Sequence, residues 1–117
     1  MHKAAGAAAL PAVSQIANAQ PYPSRPITMI VPFSAGGGTD VTARIVSEHM
    51  SRTLGQSIII ENIAGAGGTT GSTRAMRANP DGYTIEMGQM GTHATAVALY
   101  PKLAYKPDVD FAPIGFK

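Results

Sequence analysis

Two glycine clusters carry most of the chemical information in this chain, "VPFSAGGGTD" (31–40, with Phe33 and Ser34 inside it) and "ENIAGAGGTTG" (61–71). Each follows an apolar run and precedes a stretch with helical spacing, the place where a strand turns into a helix. A helix start leaves several N–H groups without intrahelical partners, and the aligned peptide dipoles add partial positive charge there. Such a start stabilises an anion by hydrogen bonds and field together. Gly36, Gly37 and Gly38, and likewise Gly65, Gly67 and Gly68, can adopt positive φ and let a carboxylate approach the backbone. Thr39, Thr69 and Thr70 add hydroxyl donors or N-caps. The expectation is that both turns offer backbone amides to one anionic ligand, and tight packing of strand against helix is the competing use of the same glycines. Asp40 has two readings of equal weight, a cap in the first helical turn or a contact to a ligand's amine or hydroxyl. His93 follows a third small turn, "GQMGTH", and either faces the same edge or is a satisfied structural histidine.

Phosphate chemistry is the other use of glycine-rich turns. A P-loop needs lysine after its glycines, and neither cluster has one. The dinucleotide fingerprint also misses, because Gly71 stands one place late after Gly65 and Gly67. No nucleophile elbow, metal-ligand spacing or paired carboxylates occur, so the chain has no catalytic constellation and implies no enzyme, cofactor or metal. The runner-up is the nucleotide-binding half of a Rossmann-like oxidoreductase, with Glu61 loosely placed at the end of the second strand to hold a ribose.

The elements that must position these turns alternate. Gln20 to Pro26 holds three prolines and reads as an extended lead-in. Ile27 to Val31 is a strand with the near-continuous apolar run of a parallel sheet. A helix follows from Thr39 to about Leu54, where Val41/Ile45 and Val46/Met50/Leu54 align apolar side chains, and Gly55 closes it. Ser57 to Glu61 is the second strand, and Thr70 to about Ala78 the second helix. Pro80-Asp81-Gly82 makes a turn, and Tyr83 to Met87 is the third strand. Glu86 is awkward in that strand, so either its face meets a polar partner or the strand lies near an edge. The β-α-β-α-β order predicts an α/β fold, a three-layer open and mostly parallel sheet, with the glycine turns at its carboxyl edge. The stretch after Gly91 lacks regular period and reads as a connector.

At 117 residues, 44% hydrophobic and 14% charged, the chain is large enough for one core and is globular by composition. The formal charge is only +2 and its positive residues are scattered, which argues against nucleic acid. Cysteine is absent, which excludes a disulfide framework. Met1-His2-Lys3, the small apolar run Ala4 to Val13 and Ala17-Asn18-Ala19 form a secretory signal pattern, cut before Gln20. No segment approaches the ~20 apolar residues of a membrane span, so no direct membrane insertion is expected. Export to a periplasm is.

From Tyr22 to Phe116 the motifs "VPF-x-AGGG-TD", "ENIAGAGG", "PDGYT" and "GTHA-x-x-x-ALYPKL", in this order and spacing, closely resemble the amino-terminal part of the Bug family, the periplasmic receptors of tripartite tricarboxylate transporters. That resemblance implies a type II periplasmic binding protein fold with a small carboxylic acid in the cleft between two domains, and transporter subunits in the membrane as partners. Carried over by position, it implies ligand contacts from Ser34, Ala35, Gly36, Gly37, Gly38, Thr39 and Asp40, from Ala66, Gly67, Gly68 and Thr69, and from Gly91, Thr92 and His93. Ser34, Glu86 and Gln89-Met90 depart from the family pattern. The resemblance places 20–117 in the amino-terminal part of the first ligand-binding domain, ending near the crossing to the second, as a fragment or a truncation. The chain alone is then expected to bind a carboxylate weakly or not at all, and to associate through an unpaired sheet edge.

Overall fold

A computed structural model of the chain describes residues 3–11 and 20–115. Residues 3–11 have no regular structure, and the cleavage pattern at Ala17 to Ala19 lies outside the described residues. No described helix is long and apolar enough to cross a membrane.

The chain runs β1 (Ile27–Val31), α1 (Gly38–Leu54), β2 (Ile58–Asn62), α2 (Thr69–Arg77), β3 (Thr84–Glu86) and α3 (Ala96–Leu99). A 3-10 turn at Ala66–Gly68 leads into α2, and a π-helical turn at Gly91–Thr95 leads into α3. The three strands form a parallel sheet in the order β2-β1-β3, with Met29 opposite both Ile60 and Ile85. Central β1 is buried along nearly its whole length, as its apolar run requires.

Successive strand residues point to opposite faces, and the two helices divide those faces. The α1 face holds Met29, Val31 and Ala43, with Met50, Ile58, Ile60, Ile85 and Met87 packed around them. The other face meets α2, where Ser72 donates to Glu86 Oε1. Three layers result, an α/β arrangement as the alternation predicts. Glu86 satisfies both expectations at once, since β3 is an outer strand of the described sheet and its α2-covered face meets a polar partner.

Two sequence expectations need correction. Val41 and Ile45 do not face the core. They are 48% and 60% exposed, whereas Asp40, Ala43 and Ser47 are buried. The helix lies close to the sheet, so the inner row takes small or hydrogen-bonded side chains, and the Ser47 hydroxyl sits 3.5 Å from Met29 Sδ. The region after Gly91 is also more than a connector, because the π turn and α3 form a continuous helical segment through Leu99, stopped before Pro101.

The proline-rich lead-in is tied to the turn before β3. Tyr22 Oη donates to the Gly82 carbonyl, Arg25 pairs with Asp81 at 3.2 Å, and the Arg25 guanidinium lies 3.9 Å from the Tyr83 ring centroid.

Candidate functional site

All three strands are parallel, so the turns that leave them gather at one edge of the sheet. Chain order reverses beside β1, which is flanked by β2 on one side and β3 on the other. Crevices at such reversals are where open α/β sheets take ligands.

The three turns touch. Gly68 is buried and holds φ 92°, and a Cβ there would meet Thr92 Cγ2 at 2.6 Å and Phe33 Cζ at 2.7 Å. The second turn is therefore wedged between the first turn and the third. One helical turn on, a Cβ at Gly71 would meet the Ile63 carbonyl at 2.6 Å and Pro32 Cα at 2.7 Å. Only a residue without a side chain lets α2 approach the exit of β1 this closely. Gly68 and Gly71 therefore serve tight packing, the competing use of the glycines.

Asp40 settles how the first turn is held. Its side chain is 3% exposed. The carboxylate accepts the Gly36 amide at 2.8 Å, Asn62 Nδ2 at 2.9 Å and Arg44 Nε at 3.0 Å. These bonds, the Gly36 amide first, hold the carboxyl at about 2, below its ordinary 3.8. Asn62 also donates to the Phe33 carbonyl at 3.0 Å, binding the end of β2 to the first turn. Asp40 therefore acts as a clamp across the turn.

With Gly36 committed to Asp40, the amides left over can be named. Among the described residues, no protein acceptor takes the N–H groups of Gly38 and Thr39 at the start of α1, nor those of Ala66 and Gly67 in the second turn. Gly68 and Thr69 donate back into their own turn, to the Gly65 and Ala66 carbonyls. Ser34, Ala35, Gly37, Gly38 and Gly67 are exposed at the same edge. Four consecutive residues, Gly65, Ala66, Gly67 and Gly68, carry positive φ, and Ala66 at 47° is the only non-glycine residue so held among the described residues. This left-handed run is a conformation that glycine tolerates and that other residues adopt rarely.

The third turn is different. Thr92 and His93 both donate their amides to the Gln89 carbonyl, and the Thr92 hydroxyl, fully buried, bonds His93 Nδ1 at 2.7 Å. The His93 ring lies 4.8 Å from that of Phe111, and burial pushes its pKa down, favouring the neutral form. Beneath it, Tyr105 Oη donates to the Thr92 carbonyl at 2.7 Å. Gly91 and His93 reach the edge half-buried, while Thr92 faces inward as a support.

Sequence reasoning passed over two aromatic residues. Phe33 fills the space beside Gly68, and the Tyr100 hydroxyl would lie 2.7 Å from a Cβ on Gly67. Both lie inside the family-like motifs, beside glycines whose local signal is stronger than that of a single aromatic residue. Glu61 pairs with Arg74 at 3.5 Å, so its side chain already has a cationic partner. Among the described residues no cluster of three or more metal-ligating side chains occurs.

A family model described as the tripartite tricarboxylate transporter family receptor matches residues 42–116. A protein of Agrobacterium vitis named for the TAR-I ttuE-ttuC' intergenic region is 48% identical over 106 residues, which is 91% of this chain and 30% of that relative. Among solved structures, MatC from Rhodopseudomonas palustris with bound malate is 55% identical with a TM-score of 0.77, over 80% of this chain and 32% of that one. The periplasmic binding protein BugD is 46% identical with a TM-score of 0.73, over 80% of this chain and 31% of that one. The chain spans about a third or less of the length of the proteins it matches.

Proposed function

Because the chain belongs to the tripartite tricarboxylate transporter receptor family, as the match over 42–116 establishes, we propose that it serves as a periplasmic solute receptor whose glycine-turn edge holds a small carboxylic acid. The observation that carries this reading is the convergence of Phe33, Gly68 and Thr92, which brings the uncommitted amides of Gly38 and Thr39 to the same edge as those of Ala66 and Gly67. A carboxylate has two oxygens and about four lone-pair sites, and accepts N–H donors from two directions. Helix dipoles add to the attraction at the α1 and α2 starts. Malate in a 55% identical relative fits this chemistry.

In this reading the chain transfers no bonds. Its ligand passes on to transporter subunits in the membrane, and residues 20–117 correspond to the amino-terminal part of the first of two domains. Ser34 to Asp40, Ala66 to Thr69 and Gly91 to His93 build the wall. Gly38, Thr39, Ala66 and Gly67 touch the ligand through their amides, whereas Asp40 and Thr92 hold the turns in place. Ligand sites commonly enclose 70–90% or more of a small molecule, and an open edge encloses far less, so this edge by itself binds a carboxylate weakly or not at all.

Thermal shift with malate, citrate, nicotinate and NAD tests the reading. A ligand at about ten times its Kd stabilises by about 1.4 kcal/mol, a shift of several degrees for a chain of this size. We expect a shift with at least one carboxylate and none with NAD. A shift with NAD alone would favour a nucleotide-binding oxidoreductase and sink the proposal.

A further inference from the structure

Two half-buried carboxyls, Glu61 and Glu86, share the α2 face in register with Ile30, and of the two only Glu61 has a cationic partner, Arg74. Ser72 donates to Glu86 Oε1, while Oε2 is buried and has no hydrogen-bond partner among the described residues. Ser72 stands four residues after Gly68 on α2, so the carboxyl lies about 6 Å, one helical turn, below the start of that helix at ~1.5 Å per residue. Among the described residues, the groups around it offer no cation. From the segment after α3 come the phenols of Tyr100 and Tyr105, and Tyr105 reaches the Thr92 carbonyl. From β1 comes Ile30, in register with Glu86. Arg74 of α2 is paired with Glu61 instead. His93 bonds Thr92, and burial disfavours its charged form.

We propose that Glu86 is a proton-linked positioning residue behind the anion edge: neutral, it leaves the edge able to hold a carboxylate, and ionised, it opposes that charge, so binding is coupled to retention of one proton. The inference rests on the carboxylate reading above. The direction of the charge effect follows from geometry alone, since a buried negative charge with no countercharge lies behind the amides that face the ligand. Burial acts in the same sense, raising the Glu86 carboxyl above its ordinary 4.5 against the opposing pull of the Ser72 bond. As pH rises from 4.5 through that raised value, Glu86 ionises, carboxylate affinity falls, and the fold also loses stability. By reciprocity, a bound carboxylate raises the Glu86 pKa.

Malate titrations followed by amide NMR from about pH 5 to about pH 8 test this in wild type and Glu86→Gln. We expect wild-type affinity to fall about fivefold or more across the range, and the Gln variant, which corrects for titration of malate and His93, to show a smaller fall. Equal falls in the two proteins would overturn the inference while leaving carboxylate binding intact. Absence of malate shifts at any pH would overturn both. Carbon-detected titration of the Glu86 carboxyl in wild type needs no variant: a raised pKa that climbs further with malate, and with Ser72→Ala, supports the proposal, and an ordinary value contradicts it.

Discussion

Gly68 concentrates the site's geometry in one residue. Its φ of 92° and its contacts with Thr92 and Phe33 leave no room for a side chain. Gly68→Ala is expected to cost about 2–5 kcal/mol, the sum of left-handed backbone strain of about 1–2 and overpacking of about 1–3. Denaturant midpoints check this, and a change below about 0.5 kcal/mol would mean that the turns are not wedged. Ala66 pays the left-handed penalty already, at φ 47°, so Ala66→Gly should be neutral or mildly stabilising. Asp40 supplies a pH signature. Its folded value of about 2 lies below the ordinary 3.8, so its bonds contribute stability above pH 3.8 that fades as pH falls toward 2. Urea melts at a series of pH values should show Asp40→Asn less stable near neutrality and lacking this acid dependence. An unchanged acid profile would remove Asp40 from the clamp.

At the scale of elements, α1 offers a paired test. Ile45→Lys, on the exposed outer row, should change stability by no more than about 0.5 kcal/mol. Ala43→Leu, on the row against Met29 and Val31, should cost about 1–3 kcal/mol. The reverse ranking would restore the face that apolar spacing favours. The strands, glycine turns and first two helices were legible because β-branched runs and glycine are strong local signals, and each boundary fell within a residue or two. Spacing misplaced the buried side of α1 because proximity to the sheet selects Ala43 and Ser47, which carry little hydrophobic signal. The π turn and α3 stayed hidden because nine residues split between two helical pitches have no single period. The candidate amides were legible as a group, but the commitment of Gly36 to Asp40, the inward turn of Thr92 and the parts of Phe33 and Tyr100 depend on long-range contacts.

Across the whole molecule, the outer edges of β2 and β3 are unpaired among the described residues, and Ile59 on β2 is 53% exposed. Exposed edges with apolar side chains invite pairing between chains. Sedimentation of the 117-residue chain should reveal self-association, and a monodisperse monomer with a cooperative melt would contradict it. Micromolar malate binding in isothermal titration would refute the one-wall description.

The most direct measurement is an amide NMR titration of the chain with malate at fixed pH. Concentration-dependent shifts should concentrate at Gly38, Thr39, Ala66 and Gly67, whose amides have no protein acceptor among the described residues. Shifts centred instead on the surface groove beside Arg74 and Arg77, or no shifts at millimolar ligand, would contradict the assignment of the glycine edge as the carboxylate site.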